Sequence, residues 1–166
     1  MGLSEDLERI ALQERDLVFQ QFNAKTAWEL GMRLMTIAME RKLAVVIDIR
    51  RFGQPLFYLA LDGTTPDNFE WVRRKCNTVA RFHRSSYAIG LKEKLKNEAL
   101  LESQGLAMAD YCTHGGAFPI TLAGSGVIGS ITVSGLPQRE DHELVVKALC
   151  AALGYQYQMY RLPKEE

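Results

Sequence analysis

This chain of 166 residues carries no Walker loop, no GxSxG elbow, no CxxC pair and no Cys/His spacing of the zinc type. Motif-borne phosphate, hydrolase and structural-zinc chemistry therefore have no anchor in it. Cysteine is scarce: Cys76, Cys112 and Cys150 are far apart and odd in number, which fits reduced thiols that pack as small hydrophobes. Net charge is also missing, because twenty basic residues balance twenty acidic ones. That excludes a nucleic-acid binder relying on a whole-chain positive field, and leaves local basic clusters free to hold a small anion. No apolar run approaches the ~20 residues of a membrane span. The opening MGLSEDLERI has acids where a signal peptide needs basic then apolar residues, and Asp6 stands where a myristoylation signal wants Ser or Thr. The expectation is a cytoplasmic protein with no membrane attachment and no nucleic-acid partner.

What is present is an ordinary globular composition, 47% apolar and 24% charged, at a length that suits one domain over residues 1–166. Ser4, Glu5 and Asp6 start a first helix carrying Leu3, Leu7, Ile10 and Ala11 at helical spacing. Residues 24–42 read as a longer helix with the stripe Ala27, Leu30, Leu34, Ile37 and Ala38. Trp28, Met32, Met35 and Met39 widen its apolar surface beyond one stripe. Either the first helix or another subunit covers that excess. LAVVIDIR (43–50) is a central strand, and PLFYLAL (55–61) returns beside it across a turn at Gly53.

Thr65-Pro66 opens a helix in the order of N-cap then proline. Its buried stripe is Phe69, Val72, Cys76, Val79 and Ala80, and its flank is basic. Arg74, Thr78 and Arg81 fall at i, i+4 and i+7 on one face, where forked guanidinium groups could hold a carboxylate or phosphate; a simply solvated face is the alternative. Ser85-Ser86 caps a further helix. Met108 to Thr113, Phe118 to Ala123 and Val127 to Ser134 read as three more strands, and Glu140, Asp141 and Glu143 begin a last helix with Leu144, Val145, Ala148, Leu149 and Ala152 inward.

The glycine-rich stretch His114 to Gly135 contains Gly124-Ser125-Gly126-Val127-Ile128-Gly129, which matches GxGxxG by letter. A dinucleotide loop must open a helix, and here a strand follows, so these glycines make a hairpin turn with Gly129 at a bulge or close approach. Of the histidines, His142 reads as a surface residue and His83 ends the basic helix. His114 can ligate a metal or haem, or serve as a turn residue. Spacing alone assembles no nucleophile, base and orienting group.

His114-Gly115-Gly116-Ala117-Phe118-Pro119-Ile120, with Val127-Ile128-Gly129 and Val133-Ser134-Gly135 before an acidic helix start, resembles the signature of the haem-degrading, or GlcG-like, family. That family includes the carboxy-terminal domain of a propanediol-utilisation corrinoid adenosyltransferase. Val46 to Asp48 with Gly53, Leu61-Asp62-Gly63, and Lys75 to Ala80 with Ser85 also fall where its pattern expects them. RRKCNTVARFHRSSY (73–87) resembles the signature of a stand-alone branch; the usual K-A-x-T-A appears here as Lys75-Cys76-Asn77-Thr78-Val79, beside a heavier arginine flank. The resemblance implies an α+β, profilin-like fold: a five-stranded antiparallel sheet, order 2-1-5-4-3 in chain order, with helices on both faces, in a homo-oligomer. It brings the helix of Arg74, Lys75, Thr78 and Arg81 near His114, Gly115 and Gly116, which makes the space between them the candidate ligand site. The ligand implied is haem, a corrinoid or a small anionic metabolite. The alternative is an oligomer that builds structure or docks a partner without turnover.

Overall fold

Apolar and polar residues alternate along the central strands, and both sets are covered. The computed structural model describes residues 2–165. Its sheet contains β1 (Val18–Phe19), β2 (Val46–Arg51), β3 (Gln54–Ala60), β4 (Ala117–Leu122) and β5 (Gly126–Ser134). Around it lie α1 (Gly2–Asp16), α2 (Ala24–Glu40), α3 (Pro66–Phe82), α4 (Ser86–Lys96), α5 (Leu100–Ser103), α6 (Gln138–Leu153) and α7 (Tyr157–Tyr160). None of these helices is long and apolar enough to cross a membrane.

The sheet order is β1-β4-β5-β2-β3, and the sheet is mixed. Both points correct the expected all-antiparallel sheet of order 2-1-5-4-3. The difference lies at one edge. Met108 to Thr113 forms no strand, and the edge place beside β4 is taken by β1, which runs parallel to it with Val18 opposite Thr121. The hairpins β2–β3 and β4–β5 and the β2–β5 pair are antiparallel, as their turn glycines and β-branched residues foretell. Gly124 and Gly126 take positive φ in the β4–β5 turn, so the GxGxxG letters do lie in a hairpin. Gly129 lies beside the register shift, and a side chain there would strike the Arg50 carbonyl.

On one sheet face Ile47, Ile49, Phe118, Ile120, Ile131 and Val133 pack against Leu30 and Leu34 of α2 and Val145 and Leu149 of α6. Gly31 is what lets α2 come close, because a Cβ there would stand 2.5 Å from the Phe57 ring. On the other face α3 covers Val46, Asp48, Ser130, Thr132 and Ser134. Among the described residues, the apolar cluster there is small: Val46, Val72 and Cys76. Ile10, Tyr87, Ala88, Leu91 and Leu162 make a third cluster joining α1, α4 and the carboxy-terminal tail.

Helix ends follow local chemistry. Asn23 caps α2 in a reciprocal box with Thr26, Asn68 Oδ1 accepts from Thr65 N at the start of α3 with Pro66 in the first turn, and Ser85 accepts from Ala88 N above α4. Three expectations are overturned. Phe69 and Ala80 are exposed rather than in the α3 stripe, and so is Ala152 on α6. His142 is fully buried, because α1 lies over the start of α6 and Gln13 meets its Nε2 at 2.8 Å. α1 packs on α4 and α7, and it leaves Trp28 and Met39 on α2 exposed.

Candidate functional site

One flank of α3 holds the backbone of the segment that was expected to be a strand. Arg74 Nε donates to the Met108 carbonyl (2.9 Å), Arg73 Nη2 to Ala109 (2.8 Å), Asn77 Nδ2 to Asp110 (2.8 Å) and Thr78 Oγ1 to Cys112 (2.7 Å). The Cys112 amide returns a bond to Thr78 Oγ1 at 3.2 Å. Positions 73, 74, 77 and 78 share a helix face, so the basic flank is largely a clamp on main-chain carbonyls. This is why no ladder forms there: the carbonyls already have side-chain donors.

Beneath the clamp Lys75 is buried, with Nζ 3.1 Å from Asp141 Oδ2 and donating to the Val133 carbonyl at 3.3 Å. Asp141 also accepts from Leu136 N at 2.9 Å and Gly135 N at 3.4 Å. Burial pushes the Asp141 carboxyl up to about 6, against the opposing pull of the Lys75 charge. Gly116 runs past this pair at φ 135°, and a Cβ on it would meet the Val133 carbonyl and stand 2.7 Å from Lys75 Nζ. At Gly115 a Cβ would lie 2.5 Å from the Gln138 carbonyl. Both glycines are thus required by the chain's own packing.

At the surface three side chains meet. The Arg74 guanidinium lies 5.0 Å from the Trp71 ring centre, and the His114 ring is 5.0 Å from that same tryptophan, tilted by 31°. His114 is exposed, yet its ring is partly desolvated against Trp71. That desolvation, followed by the charges of Lys75 and Arg74, lowers its pKa and favours the neutral imidazole. Of the seven residues singled out from sequence, Lys75, Thr78, Gly115 and Gly116 are packed inside, Arg74 and His114 flank Trp71, and Arg81 stands exposed two turns on. Arg81 has no hydrogen bond among the described residues. His83 ends α3 in a left-handed conformation and stacks on Phe52.

Sequence reasoning missed Trp71, whose signal was its place one turn before Arg74. It also missed Asp141 as a partner, because an acid in a first helical turn reads as a dipole residue. A second polar set lies deeper under α3. Asp48 accepts from Arg50 Nε (2.8 Å) and Nη2 (2.7 Å), and the Cys76 sulfur is 3.2 Å from Thr132 Oγ1. Burial pushes the Cys76 thiol up to about 11, which leaves it protonated and a poor nucleophile. Among the described residues no group of three or more His, Cys, Asp and Glu is placed to hold a metal ion. Two open clefts, of about 620 and 430 Å³, lie along α2, away from Trp71 and His114.

A single five-stranded mixed sheet with helices packed on it places the molecule among the α+β proteins. The chain belongs to the haem-degrading HbpS-like family, whose model matches residues 22–150. A "UPF0303 protein" of Paraburkholderia phymatum is 59% identical over 164 residues, 99% of each chain. Among solved structures, Ybr137w is similar with a TM-score of 0.84 and 28% identity over 92% of each chain. The PduOC:heme complex is similar in fold, with a TM-score of 0.66 and 18% identity over 81% of this chain and 99% of that one.

Proposed function

We propose that this protein is a cytoplasmic homo-oligomer that binds a small anionic or planar ligand at the surface of Trp71, Arg74 and His114, with haem the first candidate. The observation that carries this reading is the exposed imidazole of His114 against Trp71, on the same tryptophan as the Arg74 guanidinium. Haem offers an iron that prefers such a nitrogen donor, carboxylates that suit a guanidinium and a flat face that suits an aromatic ring. Family membership and the fold shared with a protein solved as a haem complex support the choice. Lys75 and Asp141 then act from beneath, packed under Gly116 and bonded to each other, rather than touching ligand.

Titration with ferric haem tests this. The wild-type chain should shift the Soret band, and His114→Ala and Arg74→Ala should each weaken the response. Unchanged binding in both variants removes this site. A corrinoid and inorganic phosphate, titrated in the same way, separate the other two ligand classes. A second reading, an oligomer that builds structure or docks a partner, is favoured by the exposed Trp28 and Met39 on α2. Association on light scattering with no response to any of these ligands would favour it.

A further inference from the structure

We infer that α2 is the contact surface between two copies of this chain, packed antiparallel about a two-fold axis near residue 31. The inference rests on the oligomer reading above and gives it an address. Trp28, Met32, Thr36 and Met39 fall at i, i+4, i+8 and i+11, so they line the side of α2 opposite the buried stripe of Ala27, Leu30, Leu34 and Ala38. Trp28 is 59% exposed and Met39 60%. With the half-buried Met32 and Met35 between them, Trp28 and Met39 give this side of α2 an apolar strip, the kind of surface that marks an interaction site.

Trp28 is also held in place. Its ring meets Phe57 edge-on at 5.7 Å, and Phe57 in turn rests on α2 where Gly31 has no side chain. A tryptophan that stands out from the surface on a packed aromatic base is the kind of group that anchors interfaces. Beside it lies the cleft of about 620 Å³, with Met32, Thr36 and Ile37 on one wall and Ala151 of α6 on the other. The same surface therefore carries a knob and a groove, as a self-complementary contact requires.

Charge selects the second copy as the occupant and sets the register. Glu29 and Arg33 lie one turn apart on the flank of this face and border both clefts. Glu29 has only a 3.8 Å approach from Lys25, and Arg33 forms no ion pair among the described residues. In an antiparallel two-fold pair the same flank of each helix meets the other with its direction reversed. Glu29 of each copy then faces Arg33 of its mate, while Trp28 of each reaches the Met32–Thr36 stretch of the other.

Sedimentation of the full chain across the micromolar range tests this, with circular dichroism to confirm folding of each variant. Wild type should sediment as a dimer or an even-numbered assembly, and Trp28→Ala should raise the dissociation constant of this contact about 30-fold or more. Glu29→Arg and Arg33→Glu should each weaken association alone. Mixed together, these two chains should form heterodimers, because both cross-pairs are restored between unlike copies. A merely structural role for either residue predicts no such rescue. A monomeric wild type overturns both this interface and the oligomer reading. An assembly that all three variants leave unchanged, or single variants that fail to rescue each other on mixing, removes this interface alone.

Discussion

Beneath α2 and α6 the sheet presents Ile47, Ile49, Ile131 and Val133, while beneath α3 the alternate residues Asp48, Ser130, Thr132 and Ser134 are just as deeply buried. The first face is held by apolar area, which is non-directional and tolerant of exchange among hydrophobes of like volume. The second depends on hydrogen bonds and a buried ion pair, whose desolvation offsets much of their attraction. A sheet under helix cover does not need this for stability. The polar face instead fixes where α3 sits, and α3 fixes where Trp71, Arg74 and the His114 loop sit.

The largest expected effect probes that contrast directly. Asp48→Ala should lower stability in urea by about 3–5 kcal/mol, because the partly buried Arg50 loses its bidentate partner; Asp48→Leu with Arg50→Met should recover most of the loss. Leu34→Ala on the apolar face should cost about 2–5 kcal/mol, with no polar partner to rescue it. A double variant no better than Asp48→Ala would break the comparison. Next, Gly31→Ala must displace the Phe57 ring and should cost roughly 1–3 kcal/mol in thermal or urea unfolding. Full stability would mean that the α2 side is looser than its packing implies.

A third effect depends on pH. Burial pushes His142 down to about 3 from its ordinary 6.5. Below pH 6.5 the unfolded chain takes a proton that the native chain refuses, so this residue's contribution falls as pH drops, by about 1.4 kcal/mol for each pH unit, and levels off near pH 3. Asp141 acts in the opposite sense: its carboxyl titrates at about 6 in the native chain against an ordinary 3.8, so over that window its contribution grows as pH falls. The difference between wild-type and His142→Gln stability curves, measured from pH 7 to 4, isolates the histidine. A flat difference would place its titration elsewhere. The smallest effect is on the exposed rim: His114→Ala should change stability by less than about 0.5 kcal/mol while it weakens any haem response. A large loss of stability there would make His114 a structural residue.

Local signals made α2, the β2–β3 hairpin and the start of α3 legible, since capping residues, β-branched runs and turn glycines act within a few positions. The true edge strand was not, because Val18–Phe19 is two residues long and carries no period. Met108 to Thr113 looked like a strand by composition, but its carbonyls answer to α3 side chains more than thirty residues earlier in the chain. His142 sits between two acids and reads as surface; only the return of α1 across the fold buries it. At the site, the letters pointed to the loop and the helix together. Which side chains remain open was decided by partners as distant as Lys75 and Asp141.

The grip of α3 on residues 108–112 has a consequence for how the two segments tolerate change. The helix supplies side chains and the loop supplies mainly backbone, with the Asp110 carboxylate on Arg73 at 3.1 Å as the exception, so most of the loop's residues are read by position and not by identity. Met108, 75% exposed, can drift in character so long as its carbonyl stays where Arg74 finds it. Arg73, Arg74, Asn77 and Thr78 have no such freedom, and the variability of this region should be lopsided: constrained along one helical flank and permissive along the strap it secures.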